Sequence, residues 1–168
     1  MTTHVSSENQ SVVVIIGLGN PSRRDDGIGP AVVTALERHV RLHVNLMAAT
    51  RDPTVLMAAW ADSELAIVVD AAVCQPSTPG RIRRYTSGLP TEAPAAGNTH
   101  GVGLSEAIQL ATILNRAPRR LVLFAVEAAD TSVGYGLSPA VAAAIPKLTK
   151  SILHEIDVST CKRRTLNF

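Results

Sequence analysis

Aromatic residues and cysteines are scarce in this chain of 168 residues. Phe, Trp and Tyr together make up 3% of it, and there are two cysteines, Cys74 and Cys161. So few rings argue against the exposed stacking surfaces that bind single-stranded nucleic acids, and they leave the core to aliphatic side chains. The cysteines have no CxxC or Cys/His spacing around them, which indicates unpaired thiols in a reducing cytoplasm.

The sequence also lacks the features of an exported or membrane-anchored protein. Its first ten residues, MTTHVSSENQ, are polar, and Val12 to Ile16, the longest apolar run near the front, has the length of a strand. The formal net charge is only +2, and the basic residues are scattered in several groups. We therefore expect a cytoplasmic protein that binds neither nucleic acid nor membranes.

The length fits one domain. We expect a flexible leader at residues 1–10, a single α/β domain at 11–158 and a basic tail at 159–168. Continuous aliphatic runs alternate with segments of helical periodicity, which is the pattern of a parallel sheet covered by helices on both faces. The fold class is therefore α/β, a single three-layer domain with a mostly parallel sheet of about five strands.

Individual elements follow from the same pattern. Pro146 is expected to kink or divide the last helix, because proline removes a backbone donor. Predicted strands cover residues 12–16, 43–49, 65–69, 81–85 and 121–126; predicted helices begin near Asp26, cover 54–61 and 104–114, and start again after Ser138-Pro139.

The first candidate site is the turn GLGNPSRRDDGIG, Gly17 to Gly29, between the first strand and the first helix. It is not a dinucleotide fingerprint, because Ser22 replaces the third glycine of GxGxxG. It is not a P-loop either, because no Gly-Lys-Ser/Thr follows. One of its two acids could simply support or cap the helix, a role that we assign to Asp25, and we expect Asp26 to face the site. The residues expected to shape or support the turn are Gly17, Gly19, Asn20, Asp25, Gly27 and Gly29.

Two further candidates lie at other junctions between strands and helices. Asp70 directly follows an apolar strand, and His100 lies in the glycine-rich loop GNTHGVG. A backbone hydrogen bond for Asp70 and simple exposure for His100 are the alternatives to a functional role. Because ligands bind beyond the carboxyl ends of parallel strands, Asp26, Asp70 and His100 should share one edge of the sheet. Such a set could contact a divalent transition-metal ion or orient a water for general-base attack.

These residues resemble the motifs of the hydrogenase maturation endopeptidases, the proteases that trim the large subunit of nickel-iron hydrogenases. The family pattern GxGNxxxxDDGxG reads GLGNPSRRDDGIG here, and its apolar strand ending in Asp-Ala reads AIVVDAA. Further along, the family's Pro-Gly before the next strand is matched by Pro79-Gly80, and its histidine before the following helix by His100, which is followed by Gly103-Leu104. The family's Gly-Leu-Ser/Thr-Pro at the start of the last helix is matched by Gly136-Leu137-Ser138-Pro139. The resemblance covers nearly the whole domain, from about Val12 to Ile156.

The resemblance implies a phosphorylase/hydrolase-like fold and an endopeptidase of aspartic type with nickel-dependent recognition. The family's nickel-contacting triad matches Asp26, Asp70 and His100, to which metal contact and catalysis are both assigned. In the family, nickel arrives with the substrate, so the enzyme holds no permanent cofactor. The implied partner is a hydrogenase large-subunit precursor, which loses a short C-terminal extension after nickel insertion. We expect the enzyme to be a monomer.

Two departures from the family pattern leave other interpretations open. The segment after the second strand reads AATRDPT, with Asp52 shifted from the usual acidic position, and the family's Glu-Pro is Glu127-Ala128 here. One alternative is a peptidyl-tRNA hydrolase-like esterase, which also begins with a strand and GLGNP; against it, the first histidine downstream is His39, inside the predicted helix. The other alternative is a non-catalytic module that binds metal or precursor.

Overall fold

The computed structural model describes residues 13–40, 43–48, 52–86 and 102–164. Strands and helices alternate along these residues, and a short 3-10 turn precedes the first α-helix. In chain order the elements are β1 (Val13–Gly17), the 3-10 turn (Arg24–Gly27), α1 (Ile28–Leu36), β2 (Val44–Ala48), α2 (Pro53–Trp60), β3 (Leu65–Ala72), β4 (Ile82–Thr86), α3 (Val102–Ile113), β5 (Arg120–Glu127) and α4 (Pro139–Arg164).

These strands form one five-stranded sheet in the order β2-β1-β3-β5-β4. β1 pairs in parallel with β2 and β3, and β3 pairs in parallel with β5. β4 runs antiparallel to β5 at the edge of the sheet. The predicted α/β fold with a mostly parallel sheet of about five strands is confirmed.

β1 shows why helices cover both faces of the sheet. Its sequence VVIIG is buried at every position, so alternate side chains enter two separate cores. Ile15 lies in the cluster that contains Leu36 of α1 and Leu148 of α4. Ile16 lies on the opposite face, in the cluster that contains Trp60 of α2 and residues of α3. The two pairs of helices are therefore the outer layers of the three-layer domain.

Two details differ from the expectations drawn from the sequence. Asp70 does not follow its strand, because β3 remains paired with β5 as far as Ala72. Pro146 does not divide the last helix, which is continuous as α4. Proline removes one helical hydrogen bond, but the buried side chains of Val141 and Leu148, on either side of it, hold α4 against the core.

The predicted domain boundaries are only partly within the described residues. α4 continues to Arg164, past the predicted end of the domain at residue 158. The predicted leader, residues 1–10, lies outside the described residues, as does 87–101 of the predicted long loop. Among the described helices, none combines the length and the apolar character that crossing a membrane requires.

Candidate active site

The turn after β1 brings two backbone segments into direct contact. A Cβ at Gly29 would lie 2.2 Å from the carbonyl oxygen of Leu18, and one at Gly17 would lie 2.3 Å from the carbonyl oxygen of Gly29. At Gly27, a Cβ would lie 3.1 Å from the Cα of Pro21. Side chains at Gly17 or Gly29 would push the start of α1 away from the end of β1, so these glycines set how closely the turn packs.

Asp26 is buried inside this turn, with 1% of its surface exposed. Its Oδ2 accepts a hydrogen bond from the backbone N–H of Asn20 at 2.9 Å, and Oδ1 of Asn20 accepts one from the N–H of Ser22 at 2.9 Å. Gly19 has a φ of +128°, and a Cβ there would lie 1.7 Å from the carbonyl oxygen of Asp26. The segment from Gly19 to Ser22 therefore wraps closely around Asp26.

Asp25 is fully buried and directs its carboxylate to the loop between β5 and α4. Oδ2 accepts hydrogen bonds from the N–H groups of Ala129 and Asp130 at 2.9 and 3.0 Å and from the hydroxyl of Ser138 at 2.9 Å. Oδ1 accepts a fourth from the N–H of Ser138 at 2.6 Å. Burial alone would raise the pKa of Asp25, but these hydrogen bonds outweigh it and lower the pKa below its usual value. Asp25 is therefore ionised at neutral pH.

Asp70 lies in β3 at the same edge of the sheet. β1 ends at Gly17, which is paired with Val69, so Asp70 is the first residue of β3 beyond the end of β1. Strand alternation places Asp70 on the same face as Val68, the face covered by α2 and α3. Asp70 is largely buried, and its Oδ1 accepts a hydrogen bond from the N–H of Ala71 at 2.9 Å.

The fold brings two of the three predicted site residues to one edge. The 3-10 turn that carries Asp26 follows β1 and contacts β3, which carries Asp70. His100 lies outside the described residues, two positions before α3 begins at Val102. Within the described ranges, no group of three or more His, Cys, Asp and Glu side chains is arranged to hold a metal ion.

Another buried carboxylate at this edge was not among the predicted site residues. Glu127 ends β5, is fully buried, and accepts hydrogen bonds from the N–H of Thr78 at 2.6 Å and from Nε of Arg83 at 2.8 Å. Burial would raise the pKa of Glu127, but the Thr78 N–H and the Arg83 guanidinium outweigh it and lower the pKa. An acid at the end of a buried strand, the signal that selected Asp70, also marks Glu127. Through the hydrogen bond from Thr78, Glu127 connects the segment between β3 and β4 to the end of β5.

Asp52, in the segment that departs from the family pattern, is a helix cap. Its Oδ1 accepts hydrogen bonds from the N–H groups of Thr54 and Val55 at 2.8 and 3.3 Å and from the hydroxyl of Thr54 at 2.6 Å. The bonds from Thr54 are the main cause of a lowered pKa for Asp52. These contacts are those of an N-cap at the start of α2.

An open groove of about 290 Å³ lies beside the turn that carries Asp26. On the loop that follows β5, Val133 and Tyr135 are each 82% exposed. Both side chains are therefore accessible to another molecule. The groove is lined by residues of the turn, of α1 and of the loop before α4, among them Pro21, Arg24, Pro30, Ala31, Gly136 and Leu137.

Solved structures share this fold. The hydrogenase maturating endopeptidase HybD from E. coli matches with a TM-score of 0.78 and 24% identity, over 88% of this chain and 93% of that one. The [NiFe] hydrogenase maturation protease HybD from Thermococcus kodakarensis matches with a TM-score of 0.71 and 22% identity, over 86% and 98% of the two chains. The domain therefore has the α/β fold of these proteases.

Sequence comparison identifies the family. The Hydrogenase 2 maturation protease of Escherichia coli (strain K12) is 25% identical over 147 residues, which are 84% of this chain and 88% of that relative. The family model described as "Hydrogenase maturation protease" matches residues 30–155, a range that includes Asp70 and His100 and begins just after the turn with Asp26. The chain belongs to the hydrogenase maturation protease family, and its activity is that of a hydrogenase maturation endopeptidase, as the sequence motifs predict.

Proposed function

We propose that this enzyme acts as a cytoplasmic monomer and removes the C-terminal extension of a nickel-iron hydrogenase large-subunit precursor after nickel has been inserted. The observation that carries the proposal is the pair of buried carboxylates, Asp26 and Asp70, beyond the end of β1 in a member of this family. In this proposal, Asp26, Asp70 and His100 contact the nickel ion, which belongs to the substrate. Nickel then marks the precursor that is ready for cleavage.

The types of side chain in the triad suit such a substrate. Carboxylate oxygens and imidazole nitrogens are ligands of divalent first-row metals. Hydrolysis of the peptide bond adds the hydroxyl of water to the carbonyl carbon and its proton to the leaving amine. A carboxylate or an imidazole at this edge can take the proton from water and return it to the amine. The hydrogen bond from Asn20 holds the carboxylate of Asp26 ready for this contact.

The surface around the turn fits a substrate that is itself a folded protein. Val133 and Tyr135 are exposed on a loop whose ends are hydrogen-bonded to Asp25. Tyrosine is enriched among the side chains that dominate protein interfaces, and a backbone fixed in advance lowers the entropy cost of binding. In our proposal, the body of the precursor contacts this loop and the groove, and the extension reaches Asp26 and Asp70.

The direct test combines the purified enzyme with a hydrogenase large-subunit precursor, with and without nickel, and follows the extension by mass spectrometry. Cleavage that requires nickel supports the proposal. An intact nickel-loaded precursor, or equal cleavage without nickel, contradicts it. Binding of the precursor without any product would identify a non-catalytic module, and hydrolysis of peptidyl-tRNA would identify an esterase.

Variants of the triad test which residues carry the reaction. Asp26→Asn, Asp70→Asn and His100→Ala should each strongly reduce cleavage while circular dichroism shows a folded protein. The control is Glu155→Gln, which neutralises a buried carboxylate of α4 that is paired with Arg120, at the opposite end of β5 from the site. Normal cleavage is expected for the control. Wild-type rates in the triad variants would remove those residues from the mechanism.

A further inference from the structure

Asp25 links the turn after β1 to a part of the chain that is distant in sequence. Residues 128–138 form the β5–α4 loop, which connects β5 to α4. The carboxylate of Asp25 accepts hydrogen bonds from the N–H groups of Ala129 and Asp130, near the start of this loop. It also accepts bonds from the N–H and the hydroxyl of Ser138, at the end of the loop. A single carboxylate therefore joins both ends of the loop to the turn.

Backbone hydrogen bonds join the same two segments. The N–H of Arg24 donates to the carbonyl of Gly134, and the N–H of Gly134 donates to the carbonyl of Ser22, both at 2.9 Å. The N–H of Asp25 donates to the carbonyl of Asp130 at 3.0 Å, and Arg24 forms an ion pair with the Asp130 carboxylate at 3.2 Å. The turn and the loop therefore form one hydrogen-bonded unit.

A carboxylate suits this position better than the amide of the same size. Asp25 is fully buried, and its four donors are neutral groups whose hydrogen bonds stabilise the buried charge. A carboxylate accepts on both oxygens, whereas asparagine has one carbonyl oxygen and an NH₂ group that only donates. Asp25→Asn therefore leaves at least one N–H of the loop facing another donor, with almost no change in side-chain volume.

We propose that Asp25 is a positioning residue for the cleavage reaction, which fixes Asp26 relative to the β5–α4 loop. This inference rests on the proposed function. Asp25 and Asp26 are consecutive in one 3-10 turn, so a movement of Asp25 displaces the backbone of Asp26 and its hydrogen bond from Asn20. The loop contributes Gly136 and Leu137 to one wall of the groove, so it would move as well. Asp25 itself acts without touching the substrate or the nickel ion.

Steady-state kinetics on the nickel-loaded precursor separate positioning from simple support of the fold. Asp25→Asn should lower kcat by about 10- to 100-fold, the loss that a misplacement of about 1 Å can cause, and should change KM less. Ser138→Ala removes the hydroxyl donor but keeps the N–H, so its loss of kcat should be smaller. Glu155→Gln removes the charge of another buried, hydrogen-bonded carboxylate, remote from the site, and should leave kcat unchanged. All variants are compared at a temperature where circular dichroism shows them folded.

Each other outcome has a definite meaning. An unchanged kcat in folded Asp25→Asn, or an equal loss in Glu155→Gln, overturns the proposal. If Asp25→Asn does not fold, Ser138→Ala decides, because a lowered kcat supports positioning and an unchanged one refutes it. If the wild type cleaves no precursor, the proposed function fails, and NMR then tests positioning separately. The amide signal of Asn20 should shift in Asp25→Asn but not in Glu155→Gln; an unshifted signal in Asp25→Asn contradicts the inference.

Discussion

Replacing Gly19 by alanine should force apart the two segments that enclose Asp26. The new Cβ would lie 1.7 Å from the carbonyl oxygen of Asp26, far inside van der Waals contact, and φ at Gly19 is +128°. The unfavourable φ costs about 1–3 kcal/mol, and the displacement of packed backbone adds about 1–3 kcal/mol. We expect Gly19→Ala to lower the free energy of unfolding by roughly 2–6 kcal/mol.

Gly136 provides the matched control for this prediction. It also has a positive φ, +86°, but a Cβ there would meet no atom within 4 Å. Gly136→Ala therefore measures the cost of a positive φ without steric overlap, about 1–3 kcal/mol. Urea unfolding can be followed by the fluorescence of Trp60, the single tryptophan, which is fully buried in the core. Equal losses of stability in Gly19→Ala and Gly136→Ala would refute the steric argument.

Three further substitutions test other parts of the structure by urea unfolding. Glu127→Gln should be less stable than the wild type above pH 4.5, the ordinary pKa of the group, and this difference should shrink as the pH falls, because the folded-state pKa of Glu127 is lowered. A difference that grew toward acid pH would contradict this. Thr149→Val should be neutral or stabilising by up to ~1 kcal/mol, because the buried hydroxyl of Thr149 has no hydrogen-bond partner among the described residues, and a clear loss of stability would show that it has one. Leu148→Ala should lower the free energy of unfolding by about 2–5 kcal/mol, because Leu148 is fully buried between α4 and the sheet, and a loss below ~1 kcal/mol would contradict that packing.

Elements with an uninterrupted apolar pattern could be predicted from the sequence. The runs at 13–16 and 65–69 are strands buried on both faces, and 121–126 is a strand in which buried and half-buried side chains alternate. Their parallel pairing follows from the helices between them. The end of β3 could not be predicted in this way. Asp70 breaks the apolar pattern, but the strand continues to Ala72 because backbone pairing with β5 does not depend on the side chain.

The shared position of Asp26 and Asp70 could be predicted because both are near the carboxyl edge of the sheet. Asp26 lies in the turn that follows β1, and Asp70 lies in β3 just beyond the end of β1. The partners of Asp25 lie 104–113 positions further along the chain, in a loop with no apolar periodicity, and nothing local in the sequence indicates them. Thr78, which donates to Glu127 across 49 positions, is hidden from local patterns for the same reason.

The different surroundings of Asp25 and Asp26 follow from the backbone of the turn that carries them. A 3-10 helix has about three residues per turn, so successive side chains leave its axis about 120° apart. Two adjacent carboxylates in Arg24–Gly27 must therefore point to different neighbours. One meets the β5–α4 loop and is surrounded by its donors, and the other meets the N–H of Asn20. The pair of acids is thus divided by backbone geometry: Asp25 anchors the β5–α4 loop, and Asp26 is held by the segment around Asn20.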